Sequence, residues 1–512
     1  ADTAYKGQWV YTGYLNSGEP VTMCLTVKEK DPVGAAWFDR YAMLYAAYAE
    51  EPSLAQRLVK MAEYPLNGSS GIAPDPDSGE SEFEKPVPVQ EPIPAGTPEL
   101  KAARLESMEY LYELYLNQPS LTDRIWYPGK NDSAQGGAMA GSQKLGAPGD
   151  LSGEKLQAVR AASFRKLYAS FMNENILSSL DTIETQMLAL AGVKDEAVQG
   201  SLSVQCARAE SFAGLYPALA AHADENEAVL KLVSELIGDL TTDEDILNTP
   251  QYQAARLRGF SGLWQALTAD GVSTDALLSM AEQLAGTLTA DPEVLSSPAV
   301  QAARAECFEG LYQAITAHPE KKDALMALVP RLTGKLDVKA AQTPEYQAAR
   351  MRGFSGLYQA LYDEAGLDQK EELLGIAEEL TGKLPDDPGL LSSPVVQAAR
   401  AESFGTLYQA ANFQSDSADQ LIAAAEQLTG GLNKAAVSSP EVQAARIRGA
   451  KGCFLDIWDT VYGLNKSGKS SEIKNEAVNA ALKLTGEMNP AAAEDTSVRQ
   501  AWAELSGSRA FY

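Results

Sequence analysis

The sequence is poor in the side chains that carry most enzymatic chemistry. Two histidines, His222 and His318, serve all 512 residues. Neither lies near a serine or in a carboxylate-bearing helical motif at a spacing that makes a triad or a metal site. The four cysteines, Cys24, Cys206, Cys307 and Cys453, form no Cys-X-X-Cys pair, which argues against zinc, redox and disulfide-scaffold chemistry. No apolar run is long enough to cross a membrane as a helix. Positive charge is in deficit: 42 Lys and Arg against 69 Asp and Glu leave a net charge of −27, which repels phosphate backbones and anionic lipid. No nucleic acid, membrane insertion or cofactor is therefore expected. Solubility, or divalent cations bridging between chains, suits such a charge better.

What the chain has instead is repetition. The string VQCARAESFAGLY from Val204 recurs as YQAARLRGFSGLW from Tyr252, VQAARAECFEGLY from Val300 and YQAARMRGFSGLY from Tyr346. It recurs again as VQAARAESFGTLY from Val396 and VQAARIRGAKGCF from Val442. Looser copies start at Leu100 and Leu156. One arginine marks the register: Arg104, Arg160, Arg208, Arg256, Arg304, Arg350, Arg400 and Arg446, spaced 46 to 50 residues apart from Arg160 on.

Each unit reads as two helices. The first opens with Ser or Thr before Pro, as at Thr249, Ser297, Thr343, Ser393 and Ser439, a hydroxyl N-cap with proline in the first turn. The second stops at a glycine suited to a left-handed C-cap: Gly238, Gly286, Gly334, Gly382, Gly430 and Gly486. Two helices cannot bury their apolar faces alone, so such units are expected to stack. The pattern resembles, in architecture only, HEAT-like or tetratricopeptide-like α-solenoids; the tetratricopeptide signature and its 34-residue period are missing. An all-α fold is expected: a solenoid of two-helix repeats of about 48 residues, with a small N-terminal β-hairpin.

The copies alternate between ARAESF-type and ARxRGF-type, so the true period is 96 residues, as from Arg208 to Arg304 to Arg400. Two places after the register arginine stand Glu210, Arg258, Glu306, Arg352, Glu402 and Arg448, opposite charges able to pair between stacked neighbours. The final stretch from Ser497 aligns as one more first helix, with Trp502 at the register position and Glu504 continuing the charge series. It reads as half a unit, with an apolar face that needs a partner.

Three regions follow from this. Residues 1–64 read as a β-hairpin plus an aromatic helical pair containing Trp37. Residues 65–98, with eight prolines, read as an extended acidic strap. Residues 99–512 read as the solenoid, about seven regular repeats with a Gly-rich insertion at 129–153 and the terminal half repeat.

Each candidate site has a plainer reading. The register arginines form either an anion-binding stripe or braces inside the stack, and the brace is expected. The series Phe164 to Phe404 and Tyr168 to Tyr408 are expected in the core rather than around a pigment or sugar. Acidic stretches at 242–245 and 385–388 match no EF-hand and read as helix starts. Cys206 and Cys307, two units apart, are not expected to bond to each other, whereas Cys24 and Cys453 lie in the two atypical ends, where a bond within or between chains is open.

No catalytic, cofactor or metal residue is assigned, and enzyme activity is not expected. The start Ala1-Asp2-Thr3-Ala4, without methionine, has the form left by signal-peptide cleavage, so an exported protein is expected: secreted, at the cell surface or periplasmic. The expected function is a structural protein that assembles with itself into a filament, sheath or surface layer through its solenoid ends and N-terminal strap. The candidate assembly residues are Cys24, Trp37, Trp502 and Glu504. One alternative is a solenoid scaffold for another exported protein. A polysaccharide-active enzyme on a closed α/α toroid is the third reading.

Overall fold

The computed structural model describes residues 8–14 and 20–26, positions 102, 105 and 112, and 151–450 apart from 178–179, 271–272, 362–367 and 414–416. It also describes 479–486 and scattered positions as far as 501. Trp37, the stretch 65–98, most of the insertion 129–153, Cys453, Trp502 and Glu504 lie outside the described residues.

From 151 on, the described residues are helical, giving an all-α protein. Near the start, strands Gln8–Tyr14 and Pro20–Thr26 pair antiparallel, with Val10 opposite Cys24. No described helix is long and apolar enough to cross a membrane.

The chain divides into two compact bodies. The first holds residues 1–199, 225–238 and 506–512. Its helices Glu154–Ser163, Arg165–Ser170, Leu180–Ala191 and Asn226–Ile237 bury Leu156, Phe164, Tyr168, Met187, Leu232 and Leu236. Tyr112 stacks on Phe164 with ring centroids 5.3 Å apart.

The second body, 200–224 and 239–505, carries most of the sequence repeats. Its first helices begin as the caps dictate. Thr249 Oγ1 accepts from Tyr252 N at 3.1 Å, Thr343 Oγ1 from Tyr346 N at 3.2 Å and Ser393 Oγ from Val396 N at 3.3 Å. The second helices, Thr274–Ala285, Lys322–Thr333, Lys370–Thr381 and Ala418–Thr429, end at the expected glycines.

The connection between units carries a one-turn helix, at Glu244–Leu247, Pro292–Leu295, Pro388–Leu391 and Lys434–Val437, and two of these begin at the acidic stretches that read as helix starts. The acidic stretches supply its caps. Asp243 Oδ1 accepts from Asp245 N at 3.0 Å, and Asp387 Oδ1 accepts from Gly389 N at 2.8 Å. The cap glycines depart from left-handed helical geometry. Gly286 has φ 67° and ψ −175°, and Gly430 has φ 75° and ψ 176°. That region is open essentially to glycine alone. The chain leaves each helix fully extended, and the glycine carbonyl is thereby free to meet a side chain from the first helices.

First helices pack on first helices along the array, whereas the second helices Lys370–Thr381 and Ala418–Thr429 touch each other far less. Glycine sets the close contact. A Cβ at Gly259, Gly353 or Gly449 would sit 2.2, 2.3 or 2.1 Å from the carbonyl oxygen of Ala209, Ala305 or Ala401. These glycines all belong to ARxRGF- or ARIRGA-type copies, and the alanines all to ARAESF or ARAECF copies. At the glycine's position the second type carries Ser211, Cys307 or Ser403. Each of those side chains donates back to its own register arginine's carbonyl, at 2.7, 3.1 and 2.9 Å. The 96-residue period is thus steric as well as electrostatic.

Gly375 is the contrasting case: exposed in Lys370–Thr381, with open space where a Cβ would go. Gly375→Ala is expected to stabilise the chain by about 0.5–1 kcal/mol, because alanine loses less backbone entropy on folding. An unchanged or lower urea midpoint would count against this.

Candidate functional site

The feature that six successive units build is a buried arginine; in the next copy Arg446 is half-buried, its Nε donating to Thr485 Oγ1 at 3.1 Å. Arg160, Arg208, Arg256, Arg304, Arg350 and Arg400 are between 1 and 4% exposed. Each sits on a first helix with its guanidinium carbon 4.4 to 5.2 Å above the phenylalanine ring one turn on, from Arg256 over Phe260 to Arg160 over Phe164.

Arg304 shows the arrangement. Nε donates to Gly334 O at 3.3 Å, the cap of its own second helix, and Nη1 donates to Leu380 O at 2.7 Å, near the end of the next unit's second helix. Arg256 repeats it with Gly286 O at 3.0 Å and Leu332 O at 3.2 Å. Arg350 reaches Gly382 O at 3.2 Å and Leu428 O at 2.8 Å, and adds Thr381 Oγ1 at 3.0 Å. Arg400 joins Gly430 O and Thr429 Oγ1 to Leu484 O. In the first body, Arg160 joins Gly192 O to Leu236 O.

Among the described residues, no carboxylate lies in ion-pair range of Arg256, Arg304, Arg350 or Arg400. Helix C-termini answer the charge instead. Each presents roughly half a negative charge, so two converging ends supply about one. Ring faces add cation–π attraction. Burial still disfavours the cation: it lowers Arg160, Arg304, Arg350 and Arg400 from the usual value and pushes Arg256 down to about 10. Solvent anions have no access to such a group, so the arginines are placed as braces.

A second buried brace stands three residues before each arginine. Gln301 Nε2 donates to Leu295 O at 2.8 Å and to Lys335 O at 3.0 Å, while its Oε1 accepts from Asp337 N at 3.0 Å. Gln253 and Gln397 hold Leu247 O and Leu391 O in the same way, each at 2.8 Å. The glutamine pins both connections of a unit. Its signal was its presence at that place in every close copy of the repeat.

The aromatic series are core. Tyr216 meets Phe260 at 5.8 Å, Tyr312 meets Phe354 at 6.3 Å and Tyr358 meets Phe404 at 5.8 Å, each tyrosine contacting the next unit's phenylalanine. Burial raises the tyrosines, Tyr252 and Tyr346 to about 12, and Tyr216, Tyr312 and Tyr358 upward as well. A group that must be neutral in the folded state stabilises fully below its unfolded value of 10.0 and loses that contribution as pH rises through the folded one. The urea midpoint is therefore expected to hold to about pH 10 and then fall, with tyrosinate absorbance appearing together with unfolding. Tyrosinate that appears well before unfolding would contradict it. The lowered arginines act in the opposite direction, beginning near the folded value of about 10 for Arg256, and soften the fall.

The charge series is exposed and pairs across units. Arg258 bonds Glu210 at 3.1 Å and Glu306 at 3.0 Å, Arg352 reaches Glu306 at 3.4 Å, and Arg448 reaches Glu402 at 3.7 Å. Among the described residues no pair joins Arg352 to Glu402, at the one joint where the register spacing is 50 residues. Such exposed pairs contribute about 0.2–1 kcal/mol each, so they help select neighbours more than they hold them.

Cys206 and Cys307 are both free thiols. Burial pushes Cys206 up to about 11 and Cys307 up to about 12, which removes thiolate reactivity near neutral pH. Of the candidate assembly residues, Cys24 lies in the second strand, and Trp37, Trp502 and Glu504 are outside the described residues. Among the described residues, no group of three or more His, Cys, Asp and Glu could hold a metal ion. Comparison with protein-family models, curated proteins and solved structures finds no match for the chain.

Proposed function

We propose that this chain is an exported structural protein, an α-solenoid of two-helix repeats with a small N-terminal hairpin, that assembles with copies of itself. The observation that carries the reading is the sameness of the clasp. Arg256, Arg304, Arg350 and Arg400 each tie the ends of two successive second helices. A catalytic site needs at least one unit that differs from its neighbours. A stack whose units are held alike is suited to bearing load.

The joints also favour propagation. One side of a joint offers backbone carbonyls, at Ala209, Ala305 and Ala401, and the other offers glycines, at Gly259, Gly353 and Gly449. Unlike faces make heterologous contacts, which continue into filaments when the rotation does not close a ring. The strap at 65–98 and the terminal half repeat are the candidate links between subunits, and divalent cations are candidate bridges for a chain of net charge −27.

Electron microscopy and sedimentation of the full chain, beside a variant lacking residues 1–98, test the reading. Filaments or sheets that vanish on deletion are the expected result. A full chain that stays monomeric at high concentration, with and without calcium, overturns it.

A further inference from the structure

Pro385 interrupts a pattern that the other connections keep. The residue three past each cap glycine is Thr241, Thr289, Asp337, Pro385, Asn433 or Asn489. Its N–H is the donor that meets the buried glutamine. Thr241 N donates to Gln205 Oε1 at 3.2 Å, Asp337 N to Gln301 Oε1 at 3.0 Å, Asn433 N to Gln397 Oε1 at 3.4 Å and Asn489 N to Gln443 Oε1 at 3.1 Å. The same residue's side chain also accepts from the N–H two places on. Thr241 accepts from Asp243, Thr289 from Asp291, Asp337 from Lys339, Asn433 from Ala435 and Asn489 from Ala491, at 2.8 to 3.2 Å. Proline has neither the N–H nor a side-chain acceptor.

The connection at 383–387 therefore lacks both bonds. Gln347 is fully buried, and its Oε1 has no hydrogen-bond partner among the described residues. Gln253 Oε1 is unpaired too, but Gln253 still holds its own following connection through Thr287 O at 3.3 Å. Gln347 bonds only the connection before it, at Ala341 O. Two further features fall at the same place. In the one-turn helix Pro388–Leu391, Gly389 stands where Glu293 stands in Pro292–Leu295, and glycine loses more backbone entropy on folding. Among the described residues, no Arg352–Glu402 pair crosses this joint. The arginine clasp is nevertheless complete, with Arg350 on Gly382 O at 3.2 Å and Leu428 O at 2.8 Å.

We propose that 383–391 is the hinge of the second body: the connection that detaches first and lets the units marked by Arg350 and Arg400 bend, while the clasp keeps them joined. Stacked repeats are held by nearest-neighbour ties, so the least-tied connection opens at the lowest cost. The orphaned carboxamide oxygen lowers that cost further, because an acceptor unpaired in the closed state gains water in the open one. Proline acts here through the bonds it cannot make. The hinge goes beyond the assembly reading and is independent of it.

Native-state hydrogen exchange of the full chain, read by mass spectrometry, tests this. The segments to compare are 389–393 and 293–297, which share their backbone bonding: Leu391 N and Ser392 N donate to Asp387 O and Pro388 O as Leu295 N and Ser296 N donate to Asp291 O and Pro292 O. After correction for intrinsic rates, 389–393 is expected to exchange roughly tenfold faster. Pro385→Thr supplies the residue found at the equivalent position 289 and is expected to slow that exchange roughly fivefold, with 293–297 unchanged. Pro385→Ala restores the N–H alone, recovers part of the effect, and bears the test should the threonine variant not fold. Equal rates in the two segments of the wild type, or a fast rate at 389–393 that the folded variants leave unchanged, overturns the proposal.

Discussion

Arg304→Lys is expected to destabilise the chain by about 3–5 kcal/mol, although it conserves charge. The guanidinium spans two acceptors on different helices, Gly334 O from Nε and Leu380 O from Nη1. An ammonium is a point donor and reaches one of them at a time. The carbonyl left over is buried and costs about 1–3 kcal/mol, and the cation–π contact with Phe308 is weakened besides. Arg304→Met separates packing from bonding, since it keeps much of the volume and none of the donors. Hydrophobic replacement of a buried ion pair is often tolerated because both partners go together. Here the partners are main-chain carbonyls and cannot be mutated away, so methionine is expected to do no better than lysine. Urea unfolding measures the loss. Hydrogen exchange should locate it at the ends of Lys322–Thr333 and Lys370–Thr381. A change below about 1 kcal/mol in both variants would mean that the clasp is incidental to stability.

Gly353→Ala, one methyl group, is expected to cost about 3 kcal/mol. The added carbon would lie 2.3 Å from Ala305 O, and that oxygen belongs to a helix backbone that cannot rotate away. The helices Pro298–Ala317 and Pro344–Ala360 must separate. The Tyr312–Phe354 contact at 6.3 Å and the Arg352–Glu306 pair at 3.4 Å open with them. The same substitution at Gly375 points the other way, so the pair of variants distinguishes close approach from helix propensity. Thermal midpoints of the two settle it: both rising would show that the glycine contact can relax.

Both results concern features that the sequence showed unequally. Hydroxyl caps before proline, cap glycines and the alternating charges were legible because each depends on residue type at a fixed local spacing. Arg304 was legible as a repeated residue, but its far partner was not. Leu380 O is a backbone oxygen 76 residues on, and backbone oxygens leave no mark in composition. Gly353 stood in plain view beside Arg352, yet periodicity reports which residues share a helix face and says nothing of how near the next helix comes. The cap glycines stand where the pattern predicts them, but not in left-handed helical geometry. Their extended ψ follows from the carbonyl's bond to the arginine, a tertiary demand. The buried glutamines leave no clearer mark for the same reason, since what they hold is main chain.

The glycine joint has a consequence for ancestry. A joint needs a carbonyl-bearing unit below and a glycine-bearing unit above, and the Glu210–Arg258–Glu306 series demands the same order. Loss of an ARxRGF-type unit would set serine or cysteine where glycine is required, and loss of a unit of either type would place like charges side by side. Unequal recombination could then change the length of this array only in even steps, two units or 96 residues at a time. The heritable module is therefore the pair of unlike units, and a gene that drifts by one unit loses its fit at the joint it creates while every other joint stays sound.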